Sequence, residues 1–232
     1  MRNGLLSAAA LVAAMCCAGA VHAAGSLAYS FEDVLPADPD GFFGLGAAVT
    51  QDTIGATEGS HSMKYAVNTG GFVGARTETV IPAALNDPPG VSHVLFDATF
   101  VDPYAGGFAD IGVTLFGHAL NAPGGAEFGH QVQFANTVSL AVLGAGTHQD
   151  LRIDLDSSVG PYRFGESFND IFGPGPADLT VASAFQFFIS KNSGVPITVY
   201  IDNVRLVVPE PATGALFSLG AIALGLVTRR RR

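Results

Sequence analysis

The C-terminal residues combine a peptide suited to proteolysis with a membrane-crossing pattern. Pro209, Glu210 and Pro211 precede 17 uncharged residues, 212–228. The two prolines favour an extended backbone, the conformation that a protease cleft binds. As a helix the uncharged run would reach about 25 Å, against a bilayer core of about 30 Å, so it predicts a single short transmembrane helix. The chain closes with four consecutive cations, Arg229, Arg230, Arg231 and Arg232.

The arginine cluster predicts the orientation of this anchor. Guanidinium groups are costly to move through hydrocarbon, and cationic residues beside a membrane span stay on its cytoplasmic side. We therefore expect the chain before Pro209 to lie outside the cytoplasm, anchored in the inner membrane.

The Pro-Glu-Pro segment, the apolar run and the arginine cluster, in this order, resemble the PEP-CTERM sorting signal of exopolysaccharide-producing Gram-negative bacteria. The matching residues are 208–213 (VPEPAT), the glycine-dotted apolar run and the arginine cluster. The resemblance implies that exosortase, a membrane protease-transpeptidase, recognises Pro-Glu-Pro, removes the helix and delivers the protein to the cell surface or the medium. A plain tail anchor with a stiff proline spacer is the alternative.

The N-terminal residues have the layout of a cleavable secretory signal. One basic residue, Arg2, precedes an apolar stretch that ends in small residues at Ala23. We therefore predict a signal peptide at 1–23, an exported domain at 24–208 and the sorting signal at 209–232. Cys16 and Cys17 both fall within the signal, so the exported domain has no disulfide and depends on its core, a metal or partners.

The exported domain is strongly acidic. Residues 24–208 hold six basic and 19 acidic side chains, a net charge of −13. Nucleic acid and anionic lipid are poor partners for a domain of this charge. Divalent cations and neutral or cation-bridged polysaccharide fit it better, although solubility alone would account for it.

Hydrophobic periodicity in the exported domain is that of strands. Apolar and polar residues alternate in short segments separated by Gly, Pro, Asn and Asp. Without crossover helices, such strands predict an all-β, antiparallel β-sandwich, most simply a jelly roll. The predicted strands are 27–32, 47–51, 62–67, 72–80, 92–100, 110–117, 129–134, 137–143, 149–155, 182–190 and 197–207.

Two further expectations concern packing and connection. Residues 191–194 (KNSG) form a turn sequence suited to a short hairpin between the last two strands. Seven phenylalanines in or near predicted strands are expected in the core between the sheets: Phe43, Phe96, Phe100, Phe116, Phe134, Phe185 and Phe187.

Three short segments resemble carbohydrate-binding-module-like jelly rolls. They are 29–33 (YSFED), 57–64 (TEGSHSMK) and 200–206 (YIDNVRL). The resemblance implies one structural calcium ion, held by the Glu32 carboxylate, a main-chain carbonyl near Gly59 or Ser60, and the Asp202 carboxylate.

Asp202 is unusual for its position in the last strand. Simple alternation places it on the same side as Tyr200, Val204 and Leu206, where an unpaired carboxylate is costly. Calcium would compensate it and tie the first strand to the last. Backbone N–H donors or a nearby arginine are the alternative partners.

The same resemblance implies glycan binding, for which exposed aromatic rings are the usual platform. The chain has no tryptophan. Tyr104, Tyr162, Phe168 and Phe172 lie in loop-like surroundings and are the candidate glycan contacts, with loop packing as the alternative. Three of them fall in the irregular stretch 157–178, long enough to be functional.

Motifs for enzyme chemistry are missing from the sequence. The histidines stand singly, and neither a nucleophile elbow nor a phosphate-binding loop occurs. We expect a non-catalytic, surface-sorted protein with a structural or glycan-binding role in the bacterial envelope or exopolysaccharide matrix. The alternative is a polysaccharide hydrolase or lyase that uses two of the acidic residues.

Overall fold

The computed structural model describes residues 26–32, 39–86, 90–119, 130–161, 164–172 and 180–208. The strands among these residues are β1 (Ser26–Tyr29), β2 (Phe42–Leu45), β3 (Ala48–Asp52), β4 (Ser62–Val67), β5 (Gly71–Thr77), β6 (His93–Phe100), β7 (Ala109–Ala119), β8 (His130–Phe134), β9 (Val138–Ser139), β10 (Gly146–Asp154), β11 (Ser158–Pro161), β12 (Thr180–Lys191) and β13 (Ile197–Val207). The helical segments are one turn of α-helix, α1 (Phe168–Ile171), and two 3₁₀ turns, Pro39–Gly41 and Ala83–Leu85.

These strands form two sheets, and every strand pair is antiparallel. The six-stranded sheet has the order β10-β6-β13-β4-β3, with β1 added beside β13. The seven-stranded sheet has the order β11-β8-β7-β12-β5-β2, with β9 added beside β7. The sheets bury one apolar cluster between them, so the predicted all-β antiparallel sandwich is confirmed.

Alternation along each strand decides which side chains meet in the core. In β6, Phe96, Ala98 and Phe100 point inward and are at most 2% exposed. Asp97 and Thr99, between them, point to the outer face of the six-stranded sheet. The same two-residue alternation places polar side chains on the outer faces of both sheets.

Aromatic rings from both sheets interlock at the centre of the core. Tyr29 of the six-stranded sheet lies 4.9 Å from Phe42 and 5.4 Å from Phe185 of the other sheet. Phe96 and Phe187 meet across the same interface at 5.3 Å. Each such pair is worth about 0.5–1.5 kcal/mol beyond the area that it buries, so these contacts help to hold the sheets together without a disulfide.

Most of the predicted strands overlap observed ones, with three differences. Strands β2 and β11 were not predicted, and only Val138–Ser139 of the predicted strand 137–143 is extended. The stretch 157–178 is not wholly irregular, because it contains β11 and α1. A short run such as Phe42–Leu45 (FFGL) lacks alternation, which is why its sequence did not mark it as a strand.

Five of the seven phenylalanines predicted for the core are there, and two are not. Phe43 and Phe116 lie on the outer face of the seven-stranded sheet, while their neighbours Phe42 and Leu115 occupy the core. The prediction was wrong for these two because it followed residue type rather than the phase of the strand.

The turn after β12 is not a hairpin. Strand β12 belongs to the seven-stranded sheet and β13 to the six-stranded sheet, so residues 192–196 cross from one layer to the other. Lys191 is 2% exposed, and its Nζ donates to the carbonyls of Ser193 (3.0 Å) and Val195 (2.5 Å), which fixes the crossing. Desolvation lowers the pKa of Lys191.

The predicted signal peptide, 1–23, and the sorting signal, 209–232, lie outside the described residues. Within the described part of the chain, no helix has the length and apolar character needed to cross a bilayer.

Candidate functional site

Residues 53–61, between β3 and β4, fold over the outer face of the six-stranded sheet, and we call them the clamped loop. A Cβ at Gly55 would stand 2.7 Å from Cβ of Tyr200, and its φ is +78°, so the loop approaches the sheet as closely as only glycine permits. Beneath the loop, Asp97 and Asp202 sit directly opposite each other on β6 and β13. They are 2% and 0% exposed.

The two buried aspartates hold the clamped loop by accepting hydrogen bonds from it, Asp202 from its backbone and Asp97 from the Thr57 side chain. Asp202 Oδ2 accepts the N–H groups of Thr57 (2.5 Å) and Glu58 (2.7 Å). Asp97 Oδ2 accepts the Thr57 hydroxyl (2.6 Å), and Asp97 Oδ1 accepts the N–H of Asp150 (2.9 Å). Burial raises the pKa of Asp202, although these hydrogen bonds oppose the shift.

The structure corrects the predicted direction of the Asp202 side chain. Asn203 has φ +49°, and the register between β13 and β6 breaks between Asp202 and Arg205. This bulge reverses the alternation, so Asp202 faces outward with Tyr200 while Val204 and Leu206 face the core. The sequence did not show the bulge, because an extra residue in a strand leaves no mark in its composition.

Glu32 fixes the other end of the clamped loop. Its Oε1 accepts the backbone N–H groups of Ser60 and His61, both at 2.7 Å. Its Oε2 accepts the Ser60 hydroxyl (2.8 Å) and faces Nδ1 of His61 (3.3 Å). Partial desolvation raises the pKa of Glu32, but the hydrogen bonds outweigh it and lower the pKa to about 2.

The two carboxylates predicted as calcium ligands, Glu32 and Asp202, therefore both hold the clamped loop, to which Ser60 belongs. Both oxygens of Glu32 are engaged, and Asp202 Oδ1 is buried without a hydrogen-bond partner among the described residues. Calcium takes six to eight oxygen ligands. The described residues contain no group of three or more His, Cys, Asp or Glu arranged around a common metal position. As they stand, Glu32, Ser60 and Asp202 fit a hydrogen-bonded clamp better than a metal site, and calcium stays a prediction.

The predicted glycan contacts are separated in the structure. Phe168 and Phe172 are 1% and 0% exposed and stack on each other at 5.2 Å, so they pack α1 into the core. The prediction was wrong for both, because a buried ring offers no face to a ligand. Tyr162 lies outside the described residues. Tyr104 is half-buried and lines a surface groove.

That groove, which we call the end groove, has a volume of about 390 Å³. Its walls are Ile54 of the clamped loop, residues 101–104 after β6, and residues 196–198 with Tyr200 at the start of β13. The Tyr104 hydroxyl is within hydrogen-bonding distance of Ser193 Oγ (2.9 Å), which fixes the ring against the wall.

The outer face of the seven-stranded sheet carries a second arrangement. The guanidinium of Arg76 lies between the rings of Phe43 (5.5 Å) and Phe116 (4.9 Å) and pairs with Glu78 at 2.6 Å. Cation–π contacts on both sides and one ion pair hold the guanidinium in place. Phe43 and Phe116, which were predicted for the core, therefore flank the Arg76 guanidinium on the outer face.

Arg76 is one end of a line of polar side chains across this face. The strand register places Gln133, Thr114, Gln186 and Arg76 side by side on four neighbouring strands, with Phe43 on the fifth. At about 4.8 Å per strand the line spans roughly 19 Å. Gln186 is 3% and Thr114 0% exposed, and the Thr114 hydroxyl has no hydrogen-bond partner among the described residues. We call these five residues the polar row.

Sequence reasoning did not find the polar row. Its members are far apart in the chain and only the strand register aligns them. One signal was available: in β7, Phe116 follows Leu115, which alternation with Ile111 and Val113 assigns to the core.

Comparison with known families identifies the end of the chain. Residues 207–232 match the PEP-CTERM protein-sorting motif, as their resemblance predicted, so the chain carries the signal of an exported, surface-sorted protein. A comparison with curated proteins finds no match.

Several solved structures similar to this chain at low identity are carbohydrate-binding modules, and another is an exo-β-agarase, 14% identical with a TM-score of 0.45 over 80% of this chain and 25% of the enzyme chain. The family 11 carbohydrate-binding module of the cellulosomal cellulase Lic26A-Cel5E of Clostridium thermocellum is 13% identical, with a TM-score of 0.49, over 79% of this chain and 94% of the module. The CBM22-1 xylan-binding domain of Paenibacillus barcinonensis Xyn10C is 15% identical, with a TM-score of 0.43, over 79% of this chain and 96% of the domain.

Proposed function

We propose that the exported domain is a non-catalytic glycan-binding module that works at the cell surface or in the exopolysaccharide matrix. The polar row is the observation that carries this proposal. The sorting motif supports this location, since a protein sorted to the cell surface is exposed to extracellular polysaccharide.

The chemistry of the polar row suits a sugar chain. Arg76 offers planar N–H donors and Gln133 offers both donors and acceptors on the partly exposed part of the row, while Gln186 and Thr114 are buried between them and support the row from below. The rings beside Arg76 give apolar surface for the C–H faces of a pyranose. A linear array of this kind fits an extended polymer better than a compact ligand.

Charge favours a neutral glycan. Arg76 is already paired with Glu78, and the domain as a whole is acidic. The negative field of the domain would repel an anionic polysaccharide, whereas a neutral polysaccharide would experience no such repulsion.

Binding without catalysis is favoured over the hydrolase or lyase alternative. A glycosidase needs two accessible carboxyl groups about 5–10 Å apart. The carboxylates that the fold brings together, Asp97 and Asp202, are buried under the clamped loop and occupied by backbone donors. Polymer has no access to them.

A glycan array tests the proposal with the protein in the form that cells export. We expect binding to neutral polysaccharide, and Arg76→Ala should weaken it at least tenfold, since a hydrogen bond to a charged group is worth about 1.5–3 kcal/mol. Arg152→Ala is the matched control, because Arg152 also pairs with an acid two residues later, Asp154, but lies on the other sheet. Equal binding by the Arg76 variant and wild type would reject the site.

We further propose that exosortase processes the chain at Pro209, Glu210 and Pro211, after a stage of inner-membrane anchoring. Replacing all three by alanine should leave a full-length, membrane-retained species, while wild type appears shorter. If mass spectrometry finds residues 229–232 on both proteins in the same fraction, processing at this motif is wrong.

A further inference from the structure

The end groove has the mixed lining of a small-ligand site. Its volume of about 390 Å³ lies in the range of pockets that hold small molecules. Tyr104, Tyr200 and two prolines give apolar surface, while the Asp102 carboxylate and Thr198 hydroxyl give polar groups at the same walls. Apolar faces combined with hydroxyl and carboxylate groups match the two faces of a sugar ring.

Two exposed aliphatic side chains mark the rim of this groove. Ile54 is 43% and Val101 58% exposed, although both have large apolar side chains. Clustered apolar exposure on a soluble domain indicates a surface that is covered by a ligand or partner. The Tyr104 side chain is already fixed by its hydrogen bond with Ser193, so it loses little conformational freedom when a ligand binds in the groove.

We propose that the end groove is a second glycan site, which takes the terminus or a short segment of a neutral oligosaccharide independently of the polar row. The Asp102 carboxylate accepts hydrogen bonds from sugar hydroxyls and repels anionic ligands. The groove is bounded by three chain segments and is short, so it suits a short ligand, in contrast to the polar row, which crosses five strands.

The position of the groove gives this second site a consequence. The polar row lies on the seven-stranded sheet, and the groove lies on the six-stranded sheet beside the crossing at 192–196. Thr198 precedes Val207, where the sorting motif begins, by nine residues of extended strand, about 30 Å. One molecule therefore presents two glycan sites on different faces, with the groove at the end away from the sorting motif, and is able to bridge two polysaccharide segments.

Fluorine NMR of the exported protein, labelled with meta-fluorotyrosine, separates the two sites. The chain has five tyrosines, and the described residues of the polar row include none of them. Tyr29 and Tyr65 are buried in the core, whereas Tyr104 and Tyr200 line the groove. Tyrosine-to-phenylalanine variants assign the signals.

The probes are neutral hexasaccharides of glucose, xylose, mannose and galactose at millimolar concentration. We expect at least one to shift the Tyr104 and Tyr200 signals in wild type and equally in Arg76→Ala. Asp102→Ala should weaken that shift about tenfold or more, while Asp156→Ala, an equal charge change at an exposed position outside the groove, should not.

The outcomes for the two sites are distinguishable. If no probe shifts Tyr104 or Tyr200, or if Asp102→Ala leaves the titration unchanged, the groove is not a glycan site, whatever the polar row does. If the tyrosine signals shift but Arg76→Ala keeps full affinity for polysaccharide on the array, the groove stands and the proposed role of the polar row fails.

Discussion

The outer faces of the two sheets use polar residues in opposite ways. On the six-stranded sheet, Asp97 and Asp202 are buried under the clamped loop, and they accept hydrogen bonds from backbone N–H groups and from the Thr57 hydroxyl of the chain itself. On the seven-stranded sheet, Gln186 and Arg76 lie in a row that runs across the strands, beside a Thr114 hydroxyl without a partner among the described residues. The two aspartates therefore stabilise the fold, whereas the row on the other sheet presents the partly exposed side chains of Arg76 and Gln133 at the surface.

The largest expected effect is loss of the clamp. Asp202→Ala leaves the N–H groups of Thr57 and Glu58 without their acceptor, at a cost of about 3 kcal/mol after part of the burial penalty on the carboxylate is relieved. For a domain of this size the melting temperature should fall by roughly 6–12 °C, as measured by circular dichroism. A loss below about 2 °C would mean that the clamp contributes little.

Calcium binding can be tested by comparing wild type with Asp202→Ala. An ion that binds only the folded state adds about 2.7 kcal/mol at a hundredfold excess over its Kd. If each aspartate and Glu32 serves only as an acceptor for the loop, millimolar calcium and chelator should give wild type the same melting temperature. If calcium instead raises the melting temperature of wild type by several degrees and does not raise that of Asp202→Ala, the predicted metal site is supported. The view that these carboxylates hold the clamped loop without a metal would then be wrong.

A smaller effect is expected from Glu32 in acid. Its pKa is lowered to about 2 from 4.5, so its contribution is present above pH 4.5 and is lost as the pH falls towards 2. Because the side chain is about a third exposed, we discount the contribution to about 1 kcal/mol. Glu32→Gln should therefore melt roughly 2–4 °C below wild type at pH 7 and at the same temperature near pH 2. A difference that stays constant with pH would exclude the carboxylate as its source.

The smallest expected effect is on the edge of the polar row. Gln133→Ala removes one neutral hydrogen-bonding group and should weaken polysaccharide binding about 3–10-fold, without a change in melting temperature. Gln149→Ala, an exposed glutamine on the six-stranded sheet, is the control for affinity electrophoresis. If both variants bind as wild type does, the row does not extend as far as β8.

The sequence predicted what depends on residue type and failed where phase or register decides. Phe96, Phe185 and Phe187 were correctly assigned to the core, since large apolar residues in strands are usually buried. Phe43 and Phe116 have the same residue type but the opposite phase, and only the sheet shows it.

Asp202 illustrates a second limit. Its chemical importance was visible, because a carboxylate among apolar neighbours needs a partner. Its direction was not, because the bulge at Asn203 reverses the alternation. The polar row joins residues from 43 to 186, and no local pattern in the chain encodes that alignment.

Chemical-shift mapping with a polysaccharide fragment selected on the array tests the central claim most directly. With uniformly labelled exported protein, we predict that the side-chain signals of Gln133, Gln186 and Arg76 move on titration, while the backbone amides of Thr57 and Glu58 in the clamped loop do not. Shifts confined to the clamped loop, with the polar row unchanged, would contradict the division of roles between the two faces.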